Sequence, residues 1–147
     1  MPENIYICFI ILIGGVSYFF CKLMDYKLIQ LDILESVSDG DPEIVREIVD
    51  IFKEQSSEIY EEMKILYAEK DFDALGLLAH KAKSSVAIMG ITELATMLKT
   101  FEIQARKGIE KDSYEAYIER FKSEVEASLI ELEDLIVNMA STGDDKD

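Results

Sequence analysis

Tryptophan is absent from the 147-residue sequence, and only two prolines and seven glycines interrupt it. Proline and glycine disfavour helix interiors more than other residues do, so a chain with few of them is able to form long helices. Alanine, leucine, isoleucine, glutamate and lysine are abundant instead, which favours helices over sheets. A chain of this length holds one ordinary domain with a substantial core. We therefore expect a single all-α domain.

Basic residues are also scarce, with 15 lysines and arginines against 30 aspartates and glutamates, and the formal net charge is -15. Glu3 and Lys22 cancel each other, so the whole excess falls on residues 24–147. Such a domain repels nucleic-acid phosphates and anionic lipid surfaces. We therefore expect no nucleic-acid partner, and we attribute most of the acidity to a well-solvated surface.

Cysteine and histidine, which supply the ligands of many metal sites, are nearly absent. Cys8 and Cys21 have no CxxC spacing and no histidine nearby, so neither a zinc site nor a disulfide framework is expected. His80 is the only histidine, whereas metal sites in helical bundles need several histidines and carboxylates on facing helices. We expect this chain to hold no metal.

Nucleotide-binding signatures are missing as well. The sequence contains no GxxxxGK[ST] motif, no glycine-rich loop after a strand, and no alternation of strands and helices typical of a receiver domain. We therefore expect a chain that neither binds ATP nor phosphorylates itself.

The longest uncharged run, residues 4–21, is 18 residues long, which is close to the minimum for a membrane-spanning helix. Lys22 and Lys27 follow it, so the positive-inside rule would leave the acidic domain in the cytoplasm, tethered to the inner face of the membrane. No basic region precedes the run and no small-x-small site follows it, which argues against a cleavable signal peptide. Residues 1–23 are therefore interpreted as a membrane anchor, as an extra helix on the domain, or as sequence upstream of a start at Met24.

The remaining sequence has helical periodicity. Apolar residues from Leu28 to Leu34 predict a short helix. Asp41 and Pro42 form a helix start, and that helix continues to about Lys70. Asp71 caps the next helix, which runs through His80 toward Gly90, the expected left-handed residue at its end.

Two further helices follow. Residues 91–107 form the first of them, with Gly108 as its stop. Asp112 and Glu115 have the spacing of a capping box before the last helix, which is expected to end near Ala140, ahead of a polar tail at residues 141–147. Short loops make neighbouring helices antiparallel, so residues 24–140 predict an up-down-up-down four-helix bundle with a short additional N-terminal helix.

His80 lies in the stretch "LAHKAKSSVAIMG" and points about 150° away from the apolar face of its helix, so it is expected to be exposed. Its helical neighbours Gly76, Ser84 and Ala87 are small, which lets a partner approach the ring. A neutral imidazole is a nucleophile near pH 7. A lone exposed histidine is usually ordinary surface, but Lys81 and Lys83 are rare positive charges in this chain, and Lys83 is placed to neutralise a phosphoryl group on His80.

These residues resemble the motif of the histidine-containing phosphotransfer (HPt) domain family. In that motif a lysine follows the histidine by three residues, small residues occupy the next two positions, and a glycine lies ten residues after the histidine; the match comprises His80, Lys83, Ser84, Ser85 and Gly90. The flanking helices resemble the family too, so the likeness spans about residues 28–138. Ser84 is a departure, because the family more often has glycine there, but serine is still small.

The resemblance implies an all-helical phosphocarrier without a cofactor of its own. An aspartyl-phosphate of a response-regulator receiver domain would transfer its phosphoryl group to Nε2 of His80, which would pass it to another receiver. A hybrid histidine kinase and receiver domains are the implied partners, the receiver supplies Mg²⁺, and we expect a monomer.

Two further roles are expected near His80. His80 lies ten residues before Gly90 and Glu102 lies twelve after it, so the two should be level on adjacent helices, and Glu102 is the candidate partner for the second ring nitrogen. Some family members have Glu or Gln at the matching position. Leu77 and Ile88 lie off the core stripe and are the candidate docking residues.

Two alternatives stay open beside a working phosphotransfer module. One is a helical adaptor that binds partners without chemistry. The other is a degenerate HPt domain that docks on receivers but transfers slowly.

Overall fold

The computed structural model describes residues 26–143, and this part of the chain is all-helical, as the sequence predicts. Its elements are α1 (Leu31–Ser38), α2 (Pro42–Glu69), α3 (Phe72–Ile88), α4 (Thr92–Lys107), a 3-10 turn (Lys111–Ser113) and α5 (Tyr114–Gly143). None of these helices combines the length and apolarity needed to cross a bilayer. The segment at residues 4–21, interpreted as an anchor or an extra helix, lies outside the described residues.

The starts of α2 and α3 follow from local side-chain chemistry, as predicted. Asp41 precedes Pro42 and accepts a hydrogen bond from the backbone N–H of Glu43 at 2.9 Å. Asp71 accepts one from the backbone N–H of Ala74 at 3.1 Å. Each carboxylate satisfies a backbone donor that has no partner within its helix.

The end of α3 is also as predicted. Gly90 has a left-handed φ of 75°. The N–H of Ile91 donates to the carbonyl of Val86 at 3.0 Å, and that of Gly90 to the carbonyl of Ala87 at 3.1 Å. This is the Schellman arrangement, which turns the chain sharply from α3 into α4.

The start of α1 differs from the prediction. α1 begins at Leu31, not at Leu28, because the preceding backbone is held by a side chain from the other end of the sequence. The carboxylate of Glu131 accepts hydrogen bonds from the N–H groups of Lys27, Leu28 and Ile29 at 3.1, 3.0 and 3.3 Å. These three donors are therefore satisfied outside a helix.

The ends of α5 differ as well. Asp112 lies inside the 3-10 turn rather than at a helix N-cap, so the capping-box prediction is wrong. The helix then continues to Gly143, three residues past the predicted end at Ala140. The first residues assigned to a polar tail are therefore helical.

The core is formed mainly by the apolar stripes of α2 to α5, and Ile29 and Leu34 from the α1 region are buried in it as well. α3 packs against both α2 and α4, and α5 packs against α2 and α4. Tyr114 is fully buried, and its hydroxyl lies 2.8 Å from the carbonyl oxygen of Gln104 and 2.7 Å from that of Ile109. This contact fixes the loop after α4 and so the end of the helix that carries Glu102.

Candidate functional site

His80 lies on the face of α3 that is turned away from the core. Its side chain is 57% exposed, while its neighbours Ala79 and Ala82 are fully buried. The helix phase expected from the sequence therefore matches the structure at this position. A second protein can reach the ring.

Glu102 of α4 binds one nitrogen of this ring. Its Oε1 lies 2.9 Å from Nδ1 of His80, and its Oε2 lies 2.8 Å from Nζ of Lys83. The Glu102 side chain is only 11% exposed, so it is not one of the many solvated carboxylates of the surface. His80 and Glu102 thus lie at the same level on adjacent helices, as the sequence predicts.

The hydrogen bonds define the tautomer of His80. Nδ1 is also 3.3 Å from Nζ of Lys83, but an ammonium group can only donate. The ionised Glu102 carboxylate can only accept, so Nδ1 carries the hydrogen and donates it to Glu102. Nζ of Lys83 then donates to Glu102 and merely lies near the ring. Nε2 of the neutral ring is left with its lone pair.

Glu102 is held in its ionised form. The hydrogen bond from Lys83 is the main cause that lowers the pKa of Glu102, and the hydrogen bond from His80 acts in the same direction. Burial opposes them by disfavouring the charged form. The net pKa is below the ordinary value, so the carboxylate remains an acceptor for Nδ1.

Lys83 lies near His80, as its spacing predicts, and in the unphosphorylated chain its ammonium group is paired with Glu102. The role of this lysine in neutralising a phosphoryl group on His80 stays a prediction. The side chain is one quarter exposed and lies across the gap between α3 and α4. Helical spacing predicts that Lys83 is near His80, but it does not reveal a competing carboxylate on another helix.

Gly76 and Arg106 form a part of the site that sequence reasoning assigned wrongly or missed. The sequence predicts that the small size of Gly76 lets a partner approach the His80 ring. Gly76 is instead buried against α4, so its size does not affect access to the ring. Nη1 of Arg106 lies 3.8 Å from Oε1 of Glu102. The four-residue spacing between Glu102 and Arg106 was the only signal for this pair in the sequence.

Most of the other predicted neighbours do lie on the surface around His80. Lys81, Ser84 and Ala87 are exposed, and Leu77 and Ile88 are 53% and 49% exposed. These five residues are therefore exposed on the same helix as His80.

Two predicted neighbours lie elsewhere. The hydroxyl of Ser85 donates to the side-chain oxygen of Gln55 on α2 at 3.3 Å, so Ser85 joins two helices. Gly90 is buried against the backbone of Gln30, whose N–H donates to its carbonyl at 3.0 Å. Gly90 shapes the turn after α3 and is not part of the exposed surface.

Comparison with known families gives one result. The model of the Hpt domain family matches residues 47–142, which include α3, α4 and most of α2 and α5. Comparisons with curated proteins and with solved structures found no match. The matched range contains His80, Lys83, Glu102 and Arg106.

Proposed function

The chain belongs to the Hpt domain family, which acts in histidine phosphotransfer in two-component signalling, and from this premise we propose that His80 is its phosphoacceptor. Members of the family are phosphocarriers rather than kinases, and they interact with response regulators and kinases in phosphorelays. We further propose that this chain accepts the phosphoryl group from an aspartyl-phosphate of one receiver domain and passes it to an aspartate of another. The observation that carries it is the exposed imidazole whose Nδ1–H is bound by Glu102.

The proposed reaction is a direct displacement at phosphorus. The lone pair of Nε2 forms the N–P bond while the bond between phosphorus and the aspartyl oxygen breaks, and the aspartate leaves as a carboxylate with the bonding electrons. His80 keeps the hydrogen on Nδ1, so no proton has to move. Transfer to the next receiver is the same displacement in reverse. Both transfers depend mainly on positioning and electrostatics.

Glu102 is proposed to stabilise the phosphorylated ring. Forming the N–P bond makes the ring positive, and the Nδ1–H···Oε1 hydrogen bond then joins a cation to a carboxylate. A hydrogen bond between charged groups is stronger than one between neutral groups. The Lys83 ammonium group lies 3.3 Å from Nδ1 of His80 and 2.8 Å from Glu102, and we propose that it exchanges its contact with Glu102 for one with the phosphoryl oxygens.

The partner supplies the remaining chemistry in this proposal. Receiver domains would dock on the surface formed by Leu77, Lys81, Ser84, Ala87 and Ile88, and they would bring the Mg²⁺ ion that neutralises the aspartyl-phosphate. This chain would contribute no cofactor. The proposal also includes the cytoplasmic location and the monomeric state expected from the sequence.

We also infer that α2 to α5 follow the up-down-up-down order. Tyr60 binds Glu119 and Lys53 binds Glu133, so positions rise along α2 as they fall along α5. The contacts of Gly76 with Arg106 and of His80 with Glu102 give the same relation for α3 and α4. This order supports the proposal because it brings the two residues level.

Incubation with a receiver domain carrying a ³²P-aspartyl-phosphate tests the function. We expect label on the wild-type chain that is lost in acid and stable in alkali, as a phosphoramidate is. His80→Gln should take up no label while retaining the wild-type circular dichroism spectrum. His80 is exposed, so this substitution leaves the core unchanged.

The other outcomes overturn parts of the proposal. A receiver that binds without labelling the chain would identify a degenerate domain that docks but does not transfer. A chain that neither binds receivers nor takes up label would be a helical adaptor. Label that persists in His80→Gln would show that another residue is the acceptor.

A further inference from the structure

Gly76 lies in the interior of α3, where glycine is a poor helix former. Its φ is not positive, so the backbone conformation does not require glycine. The reason is space. A Cβ atom at this position would lie 2.5 Å from Cγ of Arg106, and 3.2 and 3.3 Å from the backbone N of Arg106 and the backbone O of Glu102. Any side chain here would push α4 or the Arg106 side chain away.

The missing side chain thus leaves a slot that Arg106 fills. The first carbons of the Arg106 side chain lie against Gly76, one helical turn before His80. The same slot allows the backbone of α4 at Glu102 to approach α3 closely. Gly76 therefore determines the spacing of the helices where His80 and Glu102 meet.

The other end of Arg106 reaches the Glu102 carboxylate. Nη1 of Arg106 lies 3.8 Å from Oε1, the oxygen that accepts the hydrogen bond from His80. Lys83 binds the other oxygen at 2.8 Å. One cation thus lies beside each oxygen, which resists rotation of the carboxylate away from Nδ1.

We propose that the slot at Gly76 and the side chain of Arg106 form a brace that holds Glu102 in the orientation that fixes the Nδ1–H tautomer of His80. Arg106 is in this view a positioning residue that acts on His80 through Glu102. The inference rests on the proposed function for its effect on phosphotransfer, but the tautomer and the packing are properties of the unphosphorylated chain.

Two substitutions separate the charge of Arg106 from its packing. Arg106→Met keeps a linear apolar side chain in the slot and removes the guanidinium group, whereas Arg106→Lys keeps both a linear side chain and a positive charge. The first readout is ¹⁵N NMR of the His80 imidazole, because the two ring nitrogens have different shifts in the two tautomers. The second is the rate of phosphoryl uptake from a labelled receiver.

We expect Arg106→Met to remain folded, to gain the Nε2–H tautomer and to take up phosphoryl at least about threefold more slowly, as for other coupled neighbours. Arg106→Lys should restore both readouts in part. Lys107→Met is the matched control, since it removes an exposed charge from the adjacent position of α4, and it should leave the tautomer unchanged. An unchanged tautomer in Arg106→Met would overturn the proposal.

A double-mutant cycle tests the slot. Gly76→Ala should lower the free energy of unfolding in the wild-type background and lower it less in an Arg106→Ala background, because the shortened residue lacks the Cγ atom that the new Cβ would meet. Equal losses in the two backgrounds would show that Gly76 and Arg106 are not coupled. If the wild-type chain takes up no phosphoryl group, the proposed function fails. The NMR measurement of the tautomer and the double-mutant cycle would still test whether Gly76 and Arg106 form the brace.

Discussion

Glu102 is the residue through which the charges around His80 interact. It contacts the imidazole of His80, the ammonium group of Lys83 and the guanidinium group of Arg106. A nearly buried carboxylate with these partners is stabilised only while it is ionised. Its protonation should therefore weaken the contact between α3 and α4 as well as the site.

The first prediction concerns the pH dependence of stability. The pKa of Glu102 is lowered in the folded chain, chiefly by the hydrogen bond from Lys83. The ionised carboxylate therefore contributes to the free energy of unfolding at pH values above its unfolded-state pKa of about 4.5. This contribution is lost as the pH falls through the lower folded-state pKa. Between about pH 5 and pH 3, Glu102→Gln should lose less free energy of unfolding than the wild type does. Urea titrations at a series of pH values measure this difference.

Glu126→Gln is the control for this measurement. Glu126 is an exposed carboxylate of α5, and its removal should leave the pH dependence of the wild type nearly unchanged. Curves for Glu102→Gln and the wild type that run parallel through this range would contradict the assigned role of the carboxylate.

At the residue scale, the sequence predicts those features of the site that follow from the periodicity and residue count of individual helices. The exposure of His80 follows from the apolar stripe of α3, and the level of Glu102 follows from counting residues on both sides of Gly90. The pairing of Lys83 with Glu102 and the slot at Gly76 could not be predicted in this way. They depend on the distance and rotation between α3 and α4, which the packing of both helices determines together.

At the element scale, the turn between α3 and α4 has two constraints at one residue. Gly90 has a φ of 75°, and a Cβ there would lie 2.6 Å from the carbonyl oxygen of Gln30. Gly40 has a similar φ of 74° but no atom within 4 Å of the position of its Cβ. A non-glycine residue would be strained by the left-handed conformation at either position. Only at Gly90 would its Cβ also meet a neighbouring atom.

The second prediction uses this pair. Gly40→Ala should cost about 1 kcal/mol of unfolding free energy for placing a non-glycine residue at positive φ. Gly90→Ala should cost more, by about 1 to 3 kcal/mol, because Gln30 must also move and its hydrogen bond to the Gly90 carbonyl is strained. Urea unfolding of both variants measures the difference, and equal losses would show that Gln30 yields without cost.

The third prediction concerns the segment before α1. Because Glu131 binds three successive N–H groups at residues 27–29, Glu131→Ala should accelerate amide hydrogen exchange of these residues about tenfold or more. Glu133→Ala removes a neighbouring carboxylate of α5 that pairs with exposed Lys53, and exchange at residues 27–29 should not change. Equal acceleration in both variants would show that Glu131 has no specific role there.

Helix boundaries illustrate which elements the sequence predicts. Asp41, Asp71, Gly90 and Gly108 act on the backbone within a few residues, so their signals are readable locally. The start of α1 is different, because the deciding acceptor, Glu131, lies about a hundred residues away. The apolar residues Leu28 and Ile29 indicated a helix, but Ile29 is buried in the core from a non-helical segment, and Leu28 is only half-buried.

At the scale of the whole molecule, charge is distributed unevenly among the helices. α3 and α4 together contain five basic and three acidic residues, whereas α2 and α5 together contain five basic and fifteen acidic residues. The helices that carry His80 and Glu102 are thus the least acidic part of a strongly acidic chain. A partner with an acidic phosphorylation site would be attracted to this face and repelled by the others.

The last prediction follows from this asymmetry and from the proposed docking surface. Lys81 is exposed beside His80, so Lys81→Gln should lower the association rate with a phosphorylated receiver about twofold or more at low ionic strength and reduce the dependence of that rate on salt. Arg46→Gln removes an exposed charge from α2 and should have a much smaller effect, because the proposed docking residues are on α3. Stopped-flow association at several salt concentrations measures both variants. If Lys81→Gln and Arg46→Gln reduce the rate equally, only the total charge matters, and the least acidic face does not steer the partner toward His80.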